Sequence, residues 1–407
     1  MRSLTLCFLP SPRIAAYFAA VVGAALLSVL CIDPDRTGIA LAADASVEIE
    51  RIEVRSEAGV RSLEAAVLVE AVDGGLLVEL PDESLKLLQP PEIVLRATLN
   101  GPLEGESPRA LGRRILGELP PGFDLHITKH YLICFDTQRA YAQWCGALFE
   151  RLYEGFRNYW DKADFALTEP RRPLIVVIFS DRQRYAALAQ NDLGAATDRV
   201  VGYYNLMNNR ITTFDLTGSD MLKQKPASSA GRAGLDILAS PEASGLVATL
   251  VHEATHQLAF NCGMHQRLAP VPLWLSEGIA TYFETPDLGS ERGWRGIGIV
   301  NKPRRERFLA RYRPGSLESI VLADEPFRHA EDAIDAYARA WALTYFLVQT
   351  RKAAFVSYLK TIGKKQPLED DSPAQRLHEF TQAFGVTPAA IEEPVMKFVV
   401  RLRTKDR

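Results

Sequence analysis

The chain has little excess of charge of either sign: 47 basic residues against 50 acidic ones leave a formal −3, spread along its length. That absence removes the electrostatic footprint that nucleic-acid binding requires. Cysteine is scarce, with 5 in 407 residues, and none recurs at zinc-finger spacing. No glycine-rich phosphate loop is present, and no internal repeat is visible. Nor is the composition that of a disordered chain. At 47% apolar and 24% charged it suits one sizeable domain with a smaller companion.

The N-terminus carries an address. Arg2 and Arg13 flank a polar-to-apolar opening, Ile14 to Ile32 is an uncharged run of 19 residues, and Ala40-Leu41-Ala42 precedes Ala43-Asp44 as a small-x-small cleavage site. Residues 1–42 therefore read as a signal peptide, which makes the protein exported, periplasmic or extracellular. Left uncleaved, 14–32 would nearly span a bilayer and act as an anchor. Cys31 follows Leu30, which is too large for a lipobox. Past this leader remain Cys134, Cys145 and Cys262, an odd number that leaves at least one sulfur outside any intramolecular bridge.

Residues 43–118 read as a small β-rich domain. Short strand-like runs cover Val47 to Val54, Ala65 to Val72, and Gly75 to Leu80 after the Asp73-Gly74 turn. Pro90-Pro91, Pro102 and Pro120-Pro121 punctuate its exit and put the boundary near 119. From 119 to 244 a strand (Tyr131 to Phe135), a long helix (Gln138 to Ala163), a strand (Leu174 to Phe179) and a hairpin (Gly202 to Phe214) describe an α+β lobe. The polar stretch from Asp215 to Ala239 is either a loop over a cleft or a plain insertion. From 245 to 400 the chain reads as mainly helical, with a basic, solvated end.

The chemistry concentrates at Val251-His252-Glu253-Ala254-Thr255-His256-Gln257, an H-E-x-x-H pattern. On a helix, positions i and i+4 share a face, so both imidazoles can ligate one Zn²⁺ while Glu253 reaches a water on it. Composition alone would produce this spacing in roughly one such chain in a hundred, so the flanks carry the reading. Ser240-Pro241-Glu242 offers a cap, a first-turn proline and an acid, and Leu246, Val247, Leu250, Val251, Ala254, Leu258 and Ala259 recur at helical period. Asn261-Cys262-Gly263 then stops the helix. The competing reading is a surface helix or a core-satisfied histidine pair, which would bury two His and a Glu without a partner.

A third ligand is needed. Were the chain to continue from His256 as x-x-G-x-x-H a third His would close the site, but the Gly and His positions hold Ala259 and Cys262. Cys262 could ligate only if the helix broke near Phe260, and His265, in the following connection, reads as non-ligating. The stronger candidate is Glu277, near the start of a second helix from Pro272 to Glu284. It follows His256 closely enough for a short connection and a return helix packed across the first. Two His and one Glu leave a position open for water, as a catalytic zinc requires. Glu284, seven residues on and on the same face, either orients a ligand or lies on the surface.

His252-Glu253-x-x-His256 with Trp274-Leu275-x-Glu277-Gly278-x-Ala280 resembles the gluzincin metallopeptidases, in particular the thermolysin-like domain of the aminopeptidase N type. Within that clan the chain is most similar to an uncharacterised group of exported bacterial proteins. The resemblance covers roughly 125 to 400 and implies a thermolysin-like α+β domain, a mixed-sheet lobe plus a helical lobe, behind the small β-domain. It implies one Zn²⁺ on His252, His256 and Glu277, Glu253 as general base, and a peptide or protein substrate. Related peptidases carry an oxyanion-stabilising Tyr on a later helix. Tyr337 in Asp335 to Leu347 best matches that place, although Tyr-x-Lys-Gly is here Tyr337-Ala338-Arg339-Ala340; Trp341 and Tyr345 share its face and read as packing. The hairpin at 202–214 takes the place of the edge strand on which such enzymes hold extended substrate, or is plain sheet. No Gly-x-Met-Glu-Asn segment, the aminopeptidase's reader of the free amine, occurs, which favours an endopeptidase. The alternatives are a catalytically silent protein that binds a peptide or cell-envelope partner, and a membrane-tethered envelope component working through its β-domain.

Overall fold

Ile52 and Val54 are buried while Arg51 and Arg55 are exposed, the period-two pattern of a strand with one face on a core. The computed structural model describes residues 48–402 apart from 58, 195–196, 198–199, 219–242, 286–295 and 330–331. The leader, the Ser240-Pro241-Glu242 opening, most of the 215–239 loop and the last basic residues lie outside that set. The fold is mixed α+β, with two five-stranded sheets and, among the described residues, twelve helices.

The first sheet is antiparallel in the order β4-β3-β2-β1-β5, from β1 (Glu48–Ser56), β2 (Gly59–Glu70), β3 (Leu76–Glu79), β4 (Leu85–Leu88) and β5 (Ile93–Leu99). Its small core holds Ile52, Val54, Ala65, Leu76, Val78 and Leu88. Pro90-Pro91 is not the exit from this sheet: it forms one 3-10 turn, after which β5 returns to pair with β1. No residue of β5 is fully buried, so the edge strand carries little of the alternation that would mark it. Ser107 caps α1 (Pro108–Glu118), whose Leu111 and Ile115 pack on Leu132, Cys134 and Ile175. The end of the segment read as β-rich is therefore helical and belongs to the face of the second sheet.

That sheet runs β6-β7-β8-β10-β9, from β6 (Asp124–Ile127), β7 (Tyr131–Phe135), β8 (Leu174–Phe179), β9 (Gly202–Asn205) and β10 (Arg210–Phe214). β8 pairs parallel with both β7 and β10, and every residue of β7 and β8 is buried, as central strands covered on both faces must be. The crossover from β7 to β8 is α2 (Arg139–Asp161), and α3 (Arg182–Leu193) leads from β8 to the β9–β10 hairpin. β9 is an edge strand and packs against α4 (Ser244–Asn261). Beyond α4 come α5 (Leu273–Phe283), α6 (Lys302–Arg311), α7 (Ser316–Leu322), α8 (Glu325–Arg328), α9 (Ala333–Thr350), α10 (Lys352–Ile362), α11 (Pro373–Phe384) and α12 (Pro388–Arg401). α5 is buried at every position, with α4 and α9 both packed against it. Among the described residues no helix is long and apolar enough to cross a membrane, and Cys134, Cys145 and Cys262 are all free and buried.

The α5–α9 contact is close enough to need a glycine. A Cβ on Gly278 would lie 2.0 Å from Thr344 Oγ1 and 3.0 Å from the backbone oxygen of Ala340. Thr344 can rotate, but the carbonyl cannot retreat without moving α9. Gly278→Ala should cost about 1–3 kcal/mol of stability in urea unfolding. An unchanged midpoint and slope would show that the two helices can part freely.

Candidate metal centre

His252 and His256 project from one face of α4, which is buried without a break from Leu250 to Ala259. The helix ends at Cys262 because Gly263 takes a left-handed φ of +78° and turns the chain back. Pro272 then opens α5, its carbonyl accepting from the N–H groups of Leu275 and Ser276 at 2.9 and 3.2 Å. This return lays Glu277 across the two imidazoles. His252 Nε2 lies 3.0 Å from Glu277 Oε2, His256 Nε2 lies 3.1 Å from His252 Nε2, and His256 Nε2 lies 3.4 Å from Glu277 Oε2. Four ligands held about 2.0–2.1 Å from one ion in a tetrahedron stand about 3.3–3.4 Å apart, so these three atoms make one triangular face with a corner left over. Each of the three side chains is at least nine-tenths buried, and the group can hold a metal ion.

The far side of each ring is also held. Glu284 Oε2 lies 2.8 Å from His252 Nδ1, and Ser276 Oγ lies 3.2 Å from His256 Nδ1. A proton kept on Nδ1 leaves the Nε2 lone pair for a metal. Glu284 is buried, which excludes the surface reading, and is itself gripped from α6: Asn301 Nδ2 donates to its Oε1 at 2.7 Å and Arg304 Nε at 3.0 Å. The Arg304 guanidinium also sits 5.3 Å over the Tyr337 ring, and that ring is 6.1 Å from His252. Glu253, only 1% exposed, accepts from the Tyr204 N–H of β9 at 3.0 Å.

Charge in this pocket is finely matched. Burial opposes ionised Glu284, but Arg304 and His252 outweigh it and hold its pKa down to about 2. Burial opposes ionised Glu277 in the same way, and His256 and His252 bring it down to about 2. Burial also disfavours a charged His252, yet its bonds to Glu277 and Glu284 prevail and raise it to about 10. For His256 burial wins over Glu277, and its pKa is lowered. Burial, first, and the neighbouring Glu277 push Glu253 well up from the usual carboxylate range. Without a metal, then, two carboxylates are offset by Arg304 and a protonated His252.

The structure thus brings His252, His256 and Glu277 together, with Glu253 and Tyr337 beside them. It keeps Cys262 and His265 out of the group. Burial pushes the Cys262 thiol up to about 12, so no thiolate is offered. His265 is buried, and burial with the nearby His256 pushes it down to about 3. Trp341 and Tyr345 are buried packing residues. Sequence reasoning missed Ser276, Asn301 and Arg304. Ser276, next to Glu277, carried a weak signal, while nothing in the basic run Lys302-Pro303-Arg304-Arg305 distinguishes the buried arginine from its neighbours.

A family described as "Protein of unknown function (DUF1570)" matches residues 246–369, a stretch that contains His252, Glu253, His256, Glu277, Glu284, Arg304 and Tyr337. No curated protein matches the chain.

Because His252 holds its proton up to about 10, loading a divalent metal near pH 7 must expel it. Calorimetry in buffers of different ionisation enthalpy should show release of at least one proton, with affinity rising about tenfold per pH unit below that value. Release of none would contradict the charge pattern. The same shift sets the pH dependence of the metal-free fold. Its stabilising contribution is complete below an unfolded-state value of about 6.5 and is lost as pH climbs to about 10. Glu284→Gln should weaken metal binding about 10–100-fold in a chelator competition, and equal affinity would mean that Glu284 does not orient His252.

Proposed function

We propose that this protein is an exported zinc-dependent metallopeptidase of the gluzincin type, cutting within peptide chains. One observation carries the reading: a buried His-His-Glu group of tetrahedral spacing with a buried carboxylate, Glu253, next to it on the same helix. Two imidazoles and one carboxylate are a donor set of catalytic zinc sites, and a structural zinc would need a fourth protein ligand. When bound by His252, His256 and Glu277, zinc would supply Lewis-acid polarisation of a carbonyl and an acidified water at neutral pH.

The chain's own groups do the rest. Glu253 takes a proton from the attacking water and returns it to the leaving amine, one carboxylate serving as base and then acid. Its elevated affinity for a proton in the metal-free pocket marks it as a group that a neighbouring cation would bring into a working range. Tyr337 is pushed well up by burial and by Glu277 and Glu253, so its phenol keeps its proton and can donate to a developing oxyanion. β9 is the edge strand of its sheet, and its Tyr204 N–H meets Glu253, so an extended peptide added there as a further strand would run beside the base. The absent Gly-x-Met-Glu-Asn segment supports internal cleavage over aminopeptidase action, and the leader-like residues 1–42 support export.

Zinc-loaded protein should cleave members of a broad peptide library, read by mass spectrometry. Glu253→Gln should keep its zinc and lose about 10²–10⁴-fold in kcat. Tyr337→Phe should lose about 10²–10³-fold in kcat with KM little changed. A Glu253→Gln variant as active as wild type would sink the proposed mechanism.

A further inference from the structure

The N-terminal sheet meets the turn between β9 and β10, and three grips on that turn build the contact. The Leu85 N–H donates to the Met207 carbonyl at 2.6 Å. Arg267 donates from Nη1 to the Leu206 carbonyl at 3.1 Å and from Nη2 to Glu79 Oε2 at 3.2 Å. Asn209 Nδ2 donates to Glu83 Oε2 at 3.3 Å. Glu79, Glu83, Arg267 and Asn209 are all buried, so the grips are shielded from water.

Asn209 joins this contact to the catalytic elements. Its Oδ1 accepts from Tyr204 Oη at 2.7 Å, and its side chain exchanges two bonds with Asn261 at the end of α4, at 2.7 and 2.8 Å. Its carbonyl accepts from Gln257, the residue after His256, at 3.1 Å. One side chain therefore ties together the edge strand, the helix that carries both histidines and the N-terminal sheet. Tyr204, bound to it through the phenol, is the residue whose N–H meets Glu253.

Glu83 is an unexpected residue for its position. It holds a left-handed φ of +63°, a conformation that suits glycine, and its carboxylate is buried. Neither the turn nor the burial favours glutamate. What it supplies is the contact to Asn209 and an ion pair with Arg171 Nε at 3.2 Å. We propose that the β3–β4 turn is a working part of the active site and that Glu83 is a positioning residue that fixes edge strand β9 against Glu253. This rests on reading β9 as the substrate-binding edge of a peptidase.

The test compares Glu83→Gly and Glu83→Gln with wild type in the zinc-loaded protein, by amide hydrogen exchange over residues 202–209 and by peptide kinetics. Glycine accepts the backbone conformation, so Glu83→Gly should fold with its melting temperature and zinc content retained. Exchange over 202–209 should then rise about tenfold and KM about tenfold, with kcat within about twofold. Glu83→Gln keeps an oxygen acceptor for Asn209 and should restore both. Wild-type exchange in Glu83→Gly, or faster exchange with an unchanged KM, overturns the proposal. Should wild type cleave no peptide, the peptidase reading fails by itself and exchange decides alone: acceleration in glycine with rescue in glutamine upholds the positioning role, and no difference overturns it.

Discussion

Three carboxylates, Glu253, Glu277 and Glu284, are buried in one small volume with two imidazoles, and their mutual repulsion is the constraint from which the local structure follows. Two unit charges about 4 Å apart interact by about 4 kcal/mol at an effective dielectric of 20, so such a group cannot stay ionised without cations. Arg304 supplies one and a protonated His252 the other. A divalent ion would displace the proton held by His252 and offset the carboxylates in its place.

Much of the fold serves to hold that volume shut and in register. α4 packs on strands β9 and β10, which the parallel pairing of β10 with β8 ties into the sheet, and α5 is clamped against α9 through Gly278, the neighbour of Glu277. α6 connects two halves of the site. Its first turn, with Asn301 as cap, grips Glu284 and so steadies His252, while Arg307 and Arg311 further along bind Asp335 at the start of α9. Tyr337 lies two residues beyond Asp335, so one helix sets the orientation of a ligand and the position of the phenol.

The residues that touch the proposed reaction were legible because their signal is local. His252, Glu253 and His256 stand at a spacing that only a helix turns into a site, and the stop at Gly263 with the start at Pro272 brings Glu277 back over them. The supporting residues were not legible for the opposite reason. Arg304 sits in a run that reads as a solvated basic face, and only the packing of α6 on α9 takes it out of water. Glu83 and Asn209 are far apart in sequence, and their contact exists only once the two sheets meet. β5 escaped notice because an edge strand buries little, whereas α1 was missed although Ser107, Pro108 and the i, i+4 pair Leu111 and Ile115 mark a capped amphipathic helix.

The most direct measurement is X-ray absorption at the zinc edge on protein carrying one zinc per chain. The expected spectrum has two imidazole nitrogens and one or two oxygens at about 2.0–2.2 Å and no sulfur shell. A sulfur shell at about 2.3 Å, or failure to hold zinc near one equivalent after reconstitution, would contradict a centre made of His252, His256 and Glu277.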